Sequence, residues 1–122
     1  MKLAAAALVL IVAALHLWFL VLEMLLWTKP AGLRTFRLTP EFAQASRTLA
    51  ANQGLYNGFL AAGLVLGLAL GAGPGEAGRV LCLFSLICVI VAGVFGALTV
   101  SRRILWIQAL PAVLATAALL AT

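Results

Sequence analysis

The stretch LAAAALVLIVAALHLWFLVLEMLLW, residues 3–27, decides the fold. Crossing the hydrocarbon core of a bilayer takes about 20 mainly apolar residues in one helix, and this run meets that length with only His16 and Glu23 as ionisable groups. It follows Lys2, as a secretory signal would, but it continues well past the usual apolar region of about 7 to 15 residues. No clear small-residue cleavage site follows it either, so the expectation is that it stays as helix one. Three further stretches of the same character follow, giving expected spans of about 3–27, 52–71, 79–100 and 103–121. They are uninterrupted Leu, Ala and Val runs rather than the short alternating segments of a membrane β-barrel. With 66% hydrophobic and 9% charged residues over 122 positions, the composition is far from that of a soluble domain. The fold expected is all-α: a single domain, 1–122, forming an integral membrane four-helix bundle.

The formal charge of +5 is explained by topology. Lys29, Arg34, Arg37 and Arg47 fall in the first connection, and Arg102 and Arg103 in the third. Only Lys2 and Arg79, the latter accompanied by Glu76, lie at the opposite boundary. The positive-inside bias then puts connections one and three in the cytoplasm and both termini outside. No basic groove with interleaved aromatics is present, so nucleic acid is not an expected partner. Cys82 and Cys88, six apart on one helix, are separated by about 9 Å along its axis and roughly 120° around it, which precludes a mutual disulfide. Together with the lone His16 they give no zinc-ligand spacing, and no metal is expected.

Local signals divide the chain further. Thr28-Lys29-Pro30-Ala31-Gly32 reads as a break after helix one. Thr39-Pro40-Glu41 reads as a helix start, with Thr as cap, Pro at the first position and Glu near the positive end of the macrodipole. Helix two is therefore expected to run from about Pro40 to about Gly71, protruding from the bilayer into the cytoplasm as one rod of about 48 Å. Gly54 and Gly58, then Gly63, Gly67 and Gly71, recur every four residues as small-residue stripes suited to close helix packing. Helix three carries a further close-approach site at Gly93 and Gly96. The Gly- and Pro-rich connection 71–78 predicts an antiparallel hairpin, and Pro111 predicts a bend in helix four.

Polar groups inside the apolar spans carry what functional signal there is, because they are expensive in lipid. Glu23 lies about 6 Å before the end of helix one, and Gln108 about 8 Å into helix four. Asn52, Gln53, Tyr56 and Asn57 occupy the corresponding turns of helix two, while Thr99 ends helix three and Arg102 and Arg103 open helix four. Asn52 and Tyr56 share one face by their spacing of four, and Gln53 and Asn57 the adjacent one. An arginine rim above amides, a Tyr and a Glu suits an anionic or amphiphilic ligand; the same groups also suit interhelical hydrogen bonding. Glu23 is either ionised and paired with Arg102 or Arg103, or neutral. His16 is expected to be buried and satisfied by a neighbouring helix.

Two resemblances add to this reading. Helix one with His16 and Glu23, the stretch Ala51-Asn52-Gln53-Gly54-Leu55-Tyr56-Asn57-Gly58-Phe59-Leu60-Ala61-Ala62-Gly63, and Gln108 followed by Pro111-Ala112 resemble the domain of unknown function 1304 family of small bacterial membrane proteins. That likeness implies the bacterial inner membrane. More distantly, Arg34-Thr35-Phe36-Arg37-Leu38-Thr39-Pro40, Phe42, Arg47, and Asn52 with Tyr56 are similar to the first cytoplasmic connection and second helix of the membrane-associated eicosanoid and glutathione metabolism (MAPEG) superfamily. This second resemblance implies a homotrimer with glutathione, or a lipid-like ligand, held between subunits near the cytoplasmic side. Taken together with the polar layer, it gives Arg47, Asn52, Gln53, Tyr56, Asn57 and Gln108 as expected ligand-binding residues, and Glu23, Tyr56, Arg102 and Arg103 as catalytic candidates. Arg102 or Arg103 would match the arginine near helix four, a group able to stabilise a thiolate. The chain departs from the pattern in having Leu55 where an acid usually precedes the Tyr, and in having no Tyr on helix three. The competing expectation is a transporter, channel or membrane assembly protein. Against a conduit, the outer half offers little polarity beyond Cys82, Ser85 and Cys88.

Overall fold

The computed structural model describes the whole chain, Met1–Thr122, and it is helical throughout with no strand. The elements are α1 (Leu3–Met24), α2 (Pro30–Phe36), α3 (Pro40–Ala45), α4 (Arg47–Ala69), α5 (Ala77–Thr99), a π-helical turn (Leu105–Ala109) and α6 (Leu110–Leu120). Two of them, α1 and α5, are long and apolar enough to cross a membrane; the run Leu105–Leu120 is apolar but shorter. α4 has the length, with 23 residues, but carries Arg47, Asn52, Gln53 and Asn57 in its first half. The chain divides into two compact units, one of Met1–Leu15 with Leu60–Thr122 and one of His16–Phe59.

The first unit is built on small residues. Its core gathers Val9 and Val12 of α1, Ala61 and Leu64 of α4, Cys82, Leu86 and Val89 of α5, and Ala112, Ala115 and Leu119 of α6. Buried positions recur at steps of three and four, the seam spacing of packed helices. Glycines set the closest approaches: Gly67 faces the Cys82 Sγ and the carbonyl of Gly78, and Gly93 faces Ala109 across the α5–π-turn contact. Cys82 is free and donates its thiol to the Leu64 carbonyl at 3.7 Å, so it serves as a small packing residue. On α5 the opposite flank is a stripe of large exposed side chains, Val80, Phe84, Ile87, Val91, Phe95 and Leu98, each 53–82% exposed.

The expected hairpin forms: α4 ends at Ala69, Gly71 and Gly75 turn at φ +86° and +81°, and α5 begins at Ala77. Glu76 accepts a hydrogen bond from Gly73 N–H, and Arg79 Nη1 donates to the Ala72 carbonyl and to Thr122 Oγ1 (3.0 Å), binding the turn to the end of the chain. Pro111 falls in the first turn of α6, immediately after the π-helical turn, in which Leu110 N–H reaches back five residues to the Leu105 carbonyl. A proline ring crowds the carbonyl four residues before it. The wider turn is where the helix accommodates that crowding.

The second unit departs from three expectations. α1 ends at Met24 rather than Trp27, and the N–H groups of Leu25 and Leu26 just after it both donate to the Val21 carbonyl. The segment read as a break holds a short helix, because Pro30 sits at a first helical position, where its missing N–H costs nothing. Gly32 of that helix lies on the carbonyls of Leu26 and Trp27, so α2 folds directly back on the end of α1. Arg37, at φ +54° and ψ +50°, closes it. The expected rod from Pro40 is divided at Ser46, although its start signal holds: Thr39 Oγ1 accepts from Phe42 N–H at 3.2 Å. Ser46 takes φ −99° and ψ +6°, donates its hydroxyl to the Phe42 carbonyl, and accepts from Trp27 Nε1 at 3.0 Å. The Trp27 ring also packs on Phe36, centroids 4.9 Å apart.

Removing the indole donor by Trp27→Phe, or its acceptor by Ser46→Ala, is expected to cost about 1 kcal/mol each, and the double substitution little more than either. Unfolding titrations in mixed micelles measure this; fully additive losses would show that the two side chains act separately.

Candidate functional site

The second unit buries one acid. Glu23 lies in the last turn of α1 and is 3% exposed; Asn57 of α4 is 8% exposed. Asn57 Nδ2 donates to Glu23 Oε1 at 2.7 Å. Glu23 Oε2 is buried with no hydrogen-bond partner. The carboxyl is thus held on one side by an amide, and its other oxygen is open to one more donor, a proton or a cation.

The approach of α1 to α4 that makes this bond possible is set by Gly54 and Gly58. A Cβ on Gly54 would lie 2.6 Å from Met24 Cγ and 3.1 Å from Glu23 Cβ, and one on Gly58 2.7 Å from Leu20 Cδ1. On the α4 side the buried positions of this unit are Ala50, Gly54 and Asn57. His16, seven residues before Glu23, is buried too, its ring edge-on to Phe19 at 5.3 Å.

The remaining expected residues lie elsewhere. Arg47, Asn52, Gln53 and Tyr56 are exposed, Tyr56 at 60% and in edge contact with Phe59 at 5.9 Å. At 100° per residue, Asn52 and Tyr56 point roughly 165° and 125° away from the middle of the Ala50–Gly54–Asn57 seam. Gln53 and Asn57, expected on one face, are about 40° apart, with Asn57 in the seam and buried and Gln53 at its edge and exposed. In the other unit, Arg102 and Arg103 are exposed and Gln108 is half-buried in the π-helical turn. Thr99 Oγ1 bonds to the Phe95 carbonyl of its own helix. His, Cys, Asp and Glu side chains nowhere gather in a group of three that could hold a metal ion. The Trp27–Ser46 bond was not anticipated from the sequence. The Glu23–Asn57 pairing had a legible signal in the three-four spacing of Ala50, Gly54 and Asn57 opposite an acid seven residues after His16.

These features define an all-helical protein with two helices of membrane-crossing length and character, and a buried Glu–Asn pair at the end of the first. The chain matches the family model described as protein of unknown function (DUF1304) over residues 10–120, and it belongs to that family. Neither the curated proteins nor the solved structures contain a match to it.

Proposed function

We propose that this chain is an integral protein of the bacterial inner membrane with four helical spans, at about 3–24, 52–71, 79–100 and 103–121. Connections one and three face the cytoplasm and the termini the other side. In this reading it assembles as a MAPEG-like homotrimer and binds an anionic or amphiphilic ligand, glutathione or lipid-like, in a pocket between copies. The outward stripe of α5 supports membrane insertion, since soluble monomers rarely expose a contiguous apolar face of that length.

One observation carries the pocket: Asn52, Gln53 and Tyr56 stand exposed on a helix whose neighbouring residues are apolar. Polar groups on a membrane helix normally face protein or a wet cavity, and a second copy with its ligand supplies both. Arg47, Asn52, Gln53 and Tyr56 are assigned to the ligand, with Asn57, Arg102, Arg103 and Gln108 as the remaining candidates.

Purified in mild detergent, the protein should have the mass of a trimer and carry a small molecule identifiable by mass spectrometry. Stabilisation by glutathione or a lipid-like anion should be lost in Asn52→Ala and Tyr56→Phe. A monomer indifferent to both ligands overturns the reading. The open Glu23 Oε2 favours a second reading, in which the chain moves protons or cations. Proton flux into vesicles that disappears in Glu23→Gln would establish that alternative, and vesicles that stay tight would remove it.

A further inference from the structure

The segment between α1 and α4 carries Lys29, Arg34 and Arg37, with Arg47 following at the first position of α4, against one acid, Glu41, all exposed. Were it a loose loop, these cations would be dilute in solvent. It is instead folded tightly onto the end of α1: Gly32 rests on the Leu26 and Trp27 carbonyls, Trp27 bonds to Ser46, and Phe36 packs on Trp27. The segment therefore cannot move far from the residue at which the first apolar helix ends.

Exposed apolar side chains accompany the charge. Leu25, Phe36 and Phe42 are 66%, 37% and 58% exposed. Trp27, an aromatic of the kind enriched at membrane interfaces, stands among them with its indole N–H satisfied. Arg37 adds a separate indication. It closes α2 at φ +54°, a conformation that favours Gly or Asn, yet the position holds a long cation that reaches into solvent.

We propose that the α2–α3 segment is a docking surface for the anionic phospholipid headgroups of the leaflet at which α1 ends, with Lys29, Arg34 and Arg37 as the phosphate-facing cations. The proposal rests on the reading of α1 as a membrane span. Charge complementarity selects the occupant: three cations fixed at headgroup depth meet a leaflet surface whose anionic lipids attract each of them. Leu25, Phe36 and Phe42 then enter the acyl boundary, as the apolar side of an interfacial helix does.

The test uses the full chain in a Trp18→Phe/Trp106→Phe background, which leaves Trp27 as the reporter within the segment. The protein is reconstituted in phosphatidylcholine vesicles containing either phosphatidylglycerol or phosphatidylcholine brominated on its acyl chains. Quenching of Trp27 gives the preference for one lipid over the other. Phosphatidylglycerol should be preferred severalfold at low salt and much less at high salt, each cation contributing up to about fivefold.

Arg37→Asn should lower the preference while leaving thermal stability unchanged or raised, because Asn accepts the left-handed conformation. Lys2→Gln, which removes the same charge elsewhere, should leave the preference intact. Equal quenching by the two lipids in protein that floats with the vesicles overturns the surface. So does a preference that survives Lys29→Gln/Arg34→Gln/Arg37→Asn, or one that falls equally in Lys2→Gln. A chain that does not float with the vesicles sinks the spanning reading, and this surface with it.

Discussion

Gly78→Ala is expected to be the most damaging single-methyl substitution in the chain, costing about 3 kcal/mol or more. A Cβ at this position would collide with the carbonyl of Gly67 and would lie 2.6 Å from that of Gly71. Both obstacles are backbone, so no rotamer change relieves them and α4 and α5 must separate. Separation would also undo the contacts of Gly67 and Leu64 with Cys82. Gly75→Ala is the informative contrast. Nothing lies within 4 Å of a Cβ there, and the only penalty is its φ of +81°, a strain of about 1–2 kcal/mol. Detergent titration followed by helical circular dichroism would rank the two. If Gly78→Ala were as mild as Gly75→Ala, the direct backbone packing of the hairpin would be refuted.

The second large effect concerns Glu23 and Asn57. Asn57→Leu removes the one hydrogen bond of a carboxyl that already has a bare oxygen, leaving both oxygens buried and unmet. The expected loss is about 2–3 kcal/mol, more than the roughly 1 kcal/mol typical of a hydrogen bond between membrane helices. Glu23→Leu combined with Asn57→Leu removes both desolvated groups and should recover much of that loss. Glu23→Gln keeps an acceptor for the Asn57 amide and should stay within about 1 kcal/mol of the parent. A double variant as unstable as Asn57→Leu alone would mean that side-chain volume, and not the pairing, sets the energetics. A Glu23→Gln chain that folds normally and loses an activity would mark the carboxyl as functional.

How much of this could be read beforehand depends on the range over which each signal acts. Helix content and the α4–α5 turn follow from contiguous residues, the apolar runs and the Gly-rich 71–78 stretch, and both were legible. Thr39-Pro40-Glu41 is likewise local and does open a helix. Pro30 illustrates the limit: proline ends helices and also begins them, and here the choice is tied to Gly32 resting on two carbonyls of the preceding turn. The break at Ser46 could not be read from residues 40–50 alone, because Trp27, 19 positions earlier, supplies the hydrogen bond there.

For the site, depth along the helix was readable but rotation about it was less so. Glu23 and Asn57 fall at matching depths by counting residues, and they meet. Gln53 and Asn57 share a face to within about 40°, yet Asn57 falls in the seam and is buried while Gln53 falls at its edge and is exposed. Fixing the seam requires Ala50 and Gly54, whose small size is a packing signal and not a chemical one.

The π-helical turn at Leu105–Ala109 bears on how chain length can vary in this protein. A ring closed over five residues holds one residue more than the α-helical ring does. Residues 105–109 therefore carry a surplus position. A version of the chain shorter by one residue there can revert to regular α-helix and still present Ile104 to Gly96 on one flank and bury Ala112, Ala115 and Leu119 on the other. Deletions elsewhere in the helix would swing one flank by about 100° relative to the other, so this turn is where the molecule can best tolerate a change of length.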